Sequence, residues 1–199
     1  MKTLAWQQFF TEQQEQHGKV LFSVAELANV AQTSLHALNT EMGRLMQRGL
    51  VARYAQGFYG RPQVVPIQTV VAAVDPGAYI TGFYALFLNH NVTQVPAEIT
   101  CFTNRRHNRR DDRVTAAGRL RMICVPASIY KKPAGATSAE QALCDFFWLT
   151  LRNGLDPRSL VTFRNLDRLN PKKLGVHLKN YPENVKQAIA GITHSAGRP

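Results

Sequence analysis

The stretch Phe22–Arg61, FSVAELANVAQTSLHALNTEMGRLMQRGLVARYAQGFYGR, constrains the fold more than any other part of the chain. Ser23 followed by Glu26 forms the capping-box pattern, in which side chain and backbone satisfy each other's unpaired groups at a helix start. The spacing of Val24, Leu27 and Ala28 then predicts a short helix. Thr33 is the expected cap of a second helix running to about Arg48, with Leu35, Leu38, Met42, Leu45 and Met46 on one apolar stripe. Gly49 stops it as a glycine past a helix C-terminus does. LVARY and FYG follow, and the Gln56-Gly57 pair between them predicts a hairpin.

The face of the second helix opposite its apolar stripe carries Thr33, His36, Ala37, Thr40, Gly43, Arg44 and Gln47. No large aliphatic side chain and no acid falls there, and the side chains that do are donors and acceptors of a length suited to base edges and phosphates. Helix, turn, helix and ribbon in this order describe a winged helix–turn–helix, and double-stranded DNA is the expected partner. The helix residues Thr33, His36, Ala37, Thr40, Arg44 and Gln47 are the expected base and phosphate contacts. Arg53, Tyr54, Gln56, Tyr59 and Arg61 of the ribbon are expected to touch backbone or minor groove.

Residues 3–16 predict a first helix, with Trp6, Phe9 and Phe10 forming an aromatic stripe directed to the core. KVLF is expected to add a short strand to the ribbon, completing a domain over residues 1–62. Residues 63–77 are expected to link it to a second domain over 78–199, although IQTVVAAV within them has the composition of a helix. The expected fold class is α+β, a winged helix followed by a mixed domain with a small sheet and several helices. In the second part, YITGFYALFLNH reads as a buried helix capped near Thr81, and Glu98–Thr103 and LRMICV as strands joined like a hairpin by the basic loop. Thr137 and Glu140 form a second capping-box pattern before AEQALCDFFWLTLRN. Asp156-Pro157, Asn170-Pro171 and Tyr181-Pro182 mark three further helix starts.

Charge supports a polyanionic partner. The chain of 199 residues carries 24 Lys and Arg against 13 Asp and Glu, a net +11 with pI near 10.0. The excess lies mainly outside the helix pair. Residues 1–62 hold six basic side chains against four acids, whereas residues 100–135 hold nine against Asp111 and Asp112. Arg105, Arg106, Arg109, Arg110 and Arg113 form the expected basic patch, extending a phosphate track or receiving an RNA. Asp111 and Asp112 are expected to neutralise neighbouring arginines, not to act in catalysis.

Cys101, Cys124 and Cys144 are too widely spaced for a zinc site and odd in number for a disulfide framework, and each is expected to be a small buried side chain. Phosphate-binding loops, dinucleotide fingerprints, zinc-protease and serine-hydrolase motifs are absent. No enzyme activity, metal or cofactor is expected. The N-terminus lacks the apolar run of a signal peptide and no segment is long enough to span a membrane, so a cytoplasmic protein is expected.

Three segments carry a family likeness: RYAQGFYGRP, YITGFYALFLNHNVTQVPAEITCFTNRR and SAEQALCDFF. Tyr79, Gly82, Ala85 and Leu86 match a helix motif, Thr93, Gln94 and Pro96 the turn after it, and Glu140, Ala142, Leu143 and Asp145 a later helix start in which Ala139 stands where proline is usual. On these residues the chain resembles the AbiEi-like antitoxins of type IV toxin–antitoxin systems over nearly its whole length. The resemblance implies autorepression by the winged helix and an antitoxin role for the second domain, directed at a nucleotidyltransferase-like toxin without stable binding. A stand-alone regulator shares that layout. A module for RNA or tRNA, with the winged helix as accessory, is the alternative, and a homodimer would suit paired half-sites.

Overall fold

The computed structural model describes residues 3–107 and 112–195. The protein is mixed α and β, with two small sheets among the described residues. It divides into two compact units, one of Met1–Pro76 with Val114–Gly118 and one of Gly77–Arg113 with Arg119–Pro199.

In the first unit, α1 (Thr3–His17), α2 (Val24–Ala31) and α3 (Leu35–Gln47) surround one core with a three-stranded antiparallel sheet. The strands are β1 (Leu21–Ser23), β2 (Ala52–Ala55) and β3 (Phe58–Gly60), in the order β1-β3-β2. The expected strand from KVLF is thus β1, which pairs Phe22 with Tyr59. Trp6 and Phe10 bury almost completely beside Phe22, and Phe9 packs half-exposed against them. From α3 come Leu38, Met42 and Leu45, all buried. The aromatic and aliphatic stripes meet because each recurs once per helical turn, and their burial is the main favourable term holding the helices together. Trp6 Nε1 also donates to Glu41 Oε1 at 2.7 Å, fixing α1 against α3.

The capping box of α2 forms as expected. Ser23 N–H donates to Glu26 Oε2 at 2.8 Å, and Glu26 N–H donates to Ser23 Oγ at 3.2 Å. The cap of α3 differs from expectation: Ser34, not Thr33, accepts the Ala37 N–H at 3.3 Å. Gln32 closes α2 in the left-handed conformation, and the Thr33 N–H reaches back to Ala28 O, so Thr33 belongs to the turn. Gly49, at φ 69°, ends α3 and lets the Leu50 N–H return to Leu45 O.

The segment expected as a linker, residues 63–77, contains α4 (Ile67–Val74), whose Val70 and Val71 are buried. It packs on β2.

The second unit is built on α6 (Ala139–Arg152), which is buried nearly all round, not along one face. Helices α5 (Gly82–Leu88), α8 (Pro171–Leu178) and α9 (Glu183–Ser195) pack on it, and α7 (Pro157–Leu160) follows it. The sheet joins β4 (Tyr79–Ile80), β5 (Ile99–Thr103), β6 (Asp112–Thr115) and β7 (Gly118–Cys124) in the order β4-β5-β7-β6. The expected β5–β7 hairpin is corrected: these strands run parallel, from Ile99 beside Leu120 to Thr103 beside Cys124. Strand β6 intervenes in the chain and supplies the reversal that two parallel strands require.

Two caps also differ from expectation. Ser138 caps α6, accepting from Gln141 N–H at 3.3 Å, while Glu140 accepts the Asn170 N–H at 2.9 Å and so ties α6 to the start of α8. Thr81 precedes α5 but makes no side-chain cap. Asp156 and Asn170 cap their proline-started helices as expected, accepting from Arg158 N–H and from Lys172 and Lys173 N–H. Cys101 and Cys144 are buried, and burial pushes the Cys101 thiol up to about 12. Cys124, expected to be buried, is exposed at the last residue of β7.

Candidate nucleic-acid interface

The exposed face of α3 is the candidate site. His36, Ala37, Thr40, Arg44 and Gln47 are all exposed, as are Ser34 and Asn39, which the sequence pattern does not single out. Thr33, in the turn, is half-buried. Arg44, Gln47, His36 and Asn39 have no side-chain partner among the described residues. Thr40 Oγ1 donates to His36 O at 3.2 Å, a bond within the helix that leaves its lone pairs outward. Glu41, the acid of α3, is turned to Trp6, so the outer face carries no negative charge. Two terms then favour an anion: the positive end of the α3 dipole near Ser34 and the Arg44 guanidinium.

Leu35 departs from expectation. Its spacing places it on the buried stripe, yet it is 54% exposed, because it is the first residue of α3 and its side chain lies ahead of the point where the helix meets the core.

The ribbon contributes less than its sequence suggests. Arg53 and Gln56 are exposed, with Arg53 Nε donating to Ala55 O at 3.4 Å. Gly57, at φ 75°, makes the tip. Tyr54 and Tyr59, expected as nucleic-acid contacts, are buried at 1% and 6% exposure. Alternation along β2 turns Tyr54 to the face opposite Arg53. There it lies with Val65 beside Gly60, and its hydroxyl donates to Arg61 O at 2.8 Å. Tyr59 packs in the helix core opposite Phe22. Arg61 is half-buried and donates to Gln14 Oε1 at 3.0 Å, so its guanidinium is partly committed within the unit.

In the second unit, Arg105 and Arg106 are exposed on the segment leaving β5. Arg113 is half-buried, with Nη2 3.2 Å from His107 Nδ1. Arg109, Arg110 and Asp111 lie outside the described residues, and of Asp112 only the strand is described. Arg119 and Arg121 each approach Glu98 at 3.6 Å, exposed pairs that contribute little to stability.

The residues of the helix motifs converge instead on a buried carboxylate. Asp145 is fully buried and accepts from Thr81 Oγ1 at 2.5 Å, from Tyr79 OH at 3.4 Å and from Tyr181 OH. Gly82, next to Thr81, adopts φ 59°, a conformation that favours glycine and lets the chain turn from β4 into α5 while Thr81 faces Asp145. Burial pushes the Asp145 carboxyl up to about 7, with the three hydroxyl donors offsetting part of that rise. Burial also raises both tyrosines, which stay protonated as donors. With no solvent access, this cluster is a tie between β4, α6 and the start of α9. Gln94 makes a similar tie at the surface, donating to Thr162 Oγ1 and accepting its N–H.

Among the described residues, no group of three or more His, Cys, Asp or Glu side chains is arranged to hold a metal, and no helix is long and apolar enough to cross a membrane. The chain matches no protein-family model and no curated protein.

Proposed function

We propose that the protein binds duplex DNA through a winged helix–turn–helix in its first unit and acts as a transcriptional repressor. The observation that carries this reading is the outer face of α3: Arg44, Gln47 and His36 stand exposed and, among the described residues, unpaired on a helix whose opposite face is locked into the core. A polar strip on a helix anchored this firmly suits a groove, since the backbone that presents it is already fixed. Arg44 is the candidate for a bidentate guanine or phosphate contact. Arg53 on β2 and Gln56 at the ribbon tip, both exposed, are its flanking contacts. An antitoxin role in a type IV pair, with a nucleotidyltransferase-like toxin as functional counterpart, rests on the family resemblance and is part of this proposal.

Arg44→Ala is expected to weaken binding to a cognate duplex by about 1–3 kcal/mol and to relax preference at one base pair. A gel-shift titration with unchanged affinity would take Arg44 off the reading face. Arg105 and Arg106, exposed in the second unit, supply phosphate contacts of that unit in this reading. Replacing Arg105, Arg106, Arg109 and Arg110 with Ala is expected to flatten the salt dependence, lowering the slope by about 0.9 for each phosphate no longer neutralised. An unaltered slope would mean that this segment faces something else. The antitoxin role is checked at the neighbouring gene: a nucleotidyltransferase-like protein there whose toxicity this chain relieves on co-expression supports it, and continued toxicity, or no such neighbour, rejects it.

A further inference from the structure

Leu35 and Asn39 stand four residues apart, and so share one side of α3 about 5–6 Å from each other. Both are exposed, and neither side chain has a polar or ring partner among the described residues. Leu35 is the first residue of the helix and Asn39 lies little more than one turn further, in the N-terminal half that helix–turn–helix proteins direct at base edges. Their chemistries are complementary to the two halves of one base pair. An apolar side chain suits the C5-methyl of thymine, and a carboxamide suits the N6 donor and N7 acceptor of adenine.

We infer that the N-terminal half of α3 reads an A·T base pair in the major groove, with Leu35 against the thymine methyl and Asn39 hydrogen-bonded to the adenine edge. This inference rests on the duplex-binding reading and adds the base class that the site recognises. It also gives the exposed Leu35 a role that neither helix propensity nor core packing supplies. His36 and Thr40, on the neighbouring strip, would then meet the flanking base pair or backbone.

The test uses the full chain and a duplex enriched by it from a randomised library. Each thymidine of that duplex is replaced in turn by deoxyuridine, which removes only the methyl group, and each deoxyadenosine by its 7-deaza analogue, which removes N7. The wild-type chain is expected to lose about fourfold in affinity at one thymidine, the equivalent of one methyl group returned to water. Leu35→Ala should bind the thymidine and deoxyuridine duplexes equally. Asn39→Ala should lose at least about fivefold and become indifferent to the 7-deaza substitution at the paired adenine. Both side chains are exposed, so the thermal melts of the variants should match the wild type. A duplex that is enriched, yet bound equally with and without every thymine methyl, overturns this inference and leaves duplex binding standing. Retention of the methyl preference by Leu35→Ala also overturns it. Failure to enrich any duplex removes both readings.

Discussion

Asp145→Ala is expected to destabilise the second unit by about 4 kcal/mol, enough to unfold a marginal domain. Three hydroxyls, from Tyr79, Thr81 and Tyr181, lose their acceptor at once, and a void opens at the centre of the most buried helix. Asp145→Asn keeps an acceptor oxygen and should be tolerated far better. The same pair of variants exposes a pH dependence. The folded carboxyl titrates at about 7, against about 3.9 for an unfolded chain, so between those values the folded state holds a proton that the unfolded state has released. Stability from this group is therefore full below about pH 4 and lost as pH rises through 7, a span of up to about 4 kcal/mol. The difference in denaturation midpoint between wild type and Asp145→Asn, followed from pH 4 to pH 8, isolates it. A difference that does not change with pH would mean that Asp145 is ionised throughout.

Gly60→Ala is expected to destabilise the first unit by about 3 kcal/mol or more. Gly60 lies on the central strand β3, opposite Leu21 and Ala52. A Cβ there would press on the Val20 carbonyl oxygen and come 2.8 Å from Val65 Cγ2. The first of these neighbours is backbone, which cannot move aside without breaking the β1–β3 pairing. Because β3 holds the ribbon to the helices, this variant should also weaken the proposed duplex binding. A urea midpoint equal to wild type would contradict the account of β3 as the strand that organises the unit.

Most of the first unit is legible in its sequence because its signals are local. The Ser23–Glu26 box, the stripe of α3 from Leu38 to Leu45 and the glycines at 49 and 57 each act within a few residues, and each appears where the pattern places it, with Leu35 as the exception. The errors there are also local. Adjacent Thr33 and Ser34 are equivalent caps to a pattern, and only the left-handed Gln32 decides between them. Adjacent Arg53 and Tyr54 point to opposite faces of β2, so only one of them can face outward, and Tyr54 is the buried one. The second unit is harder because its organising contacts are distant. Tyr79 and Thr81 lie 66 and 64 positions from Asp145, and Tyr181 lies 36 away, separations that no periodicity can register. The four-residue β6 is likewise too short to signal that β5 and β7 are parallel. For the candidate interface, sequence places Arg44, Gln47, Thr40 and His36 on the outer face of α3. The exposure of Leu35 and Asn39 requires the orientation of the helix on its core.

The most direct measurement is a fluorescence-anisotropy titration of labelled duplex DNA with the full chain and with Arg44→Glu/Gln47→Glu, each repeated against a structured RNA competitor. Charge reversal at Arg44 together with a new negative charge at Gln47, both exposed, should leave the thermal melt unchanged, weaken duplex binding at least about tenfold, and leave duplex preferred over RNA by the wild-type chain. Equal duplex affinity of the two proteins, or displacement of the duplex by equimolar RNA, would contradict the account.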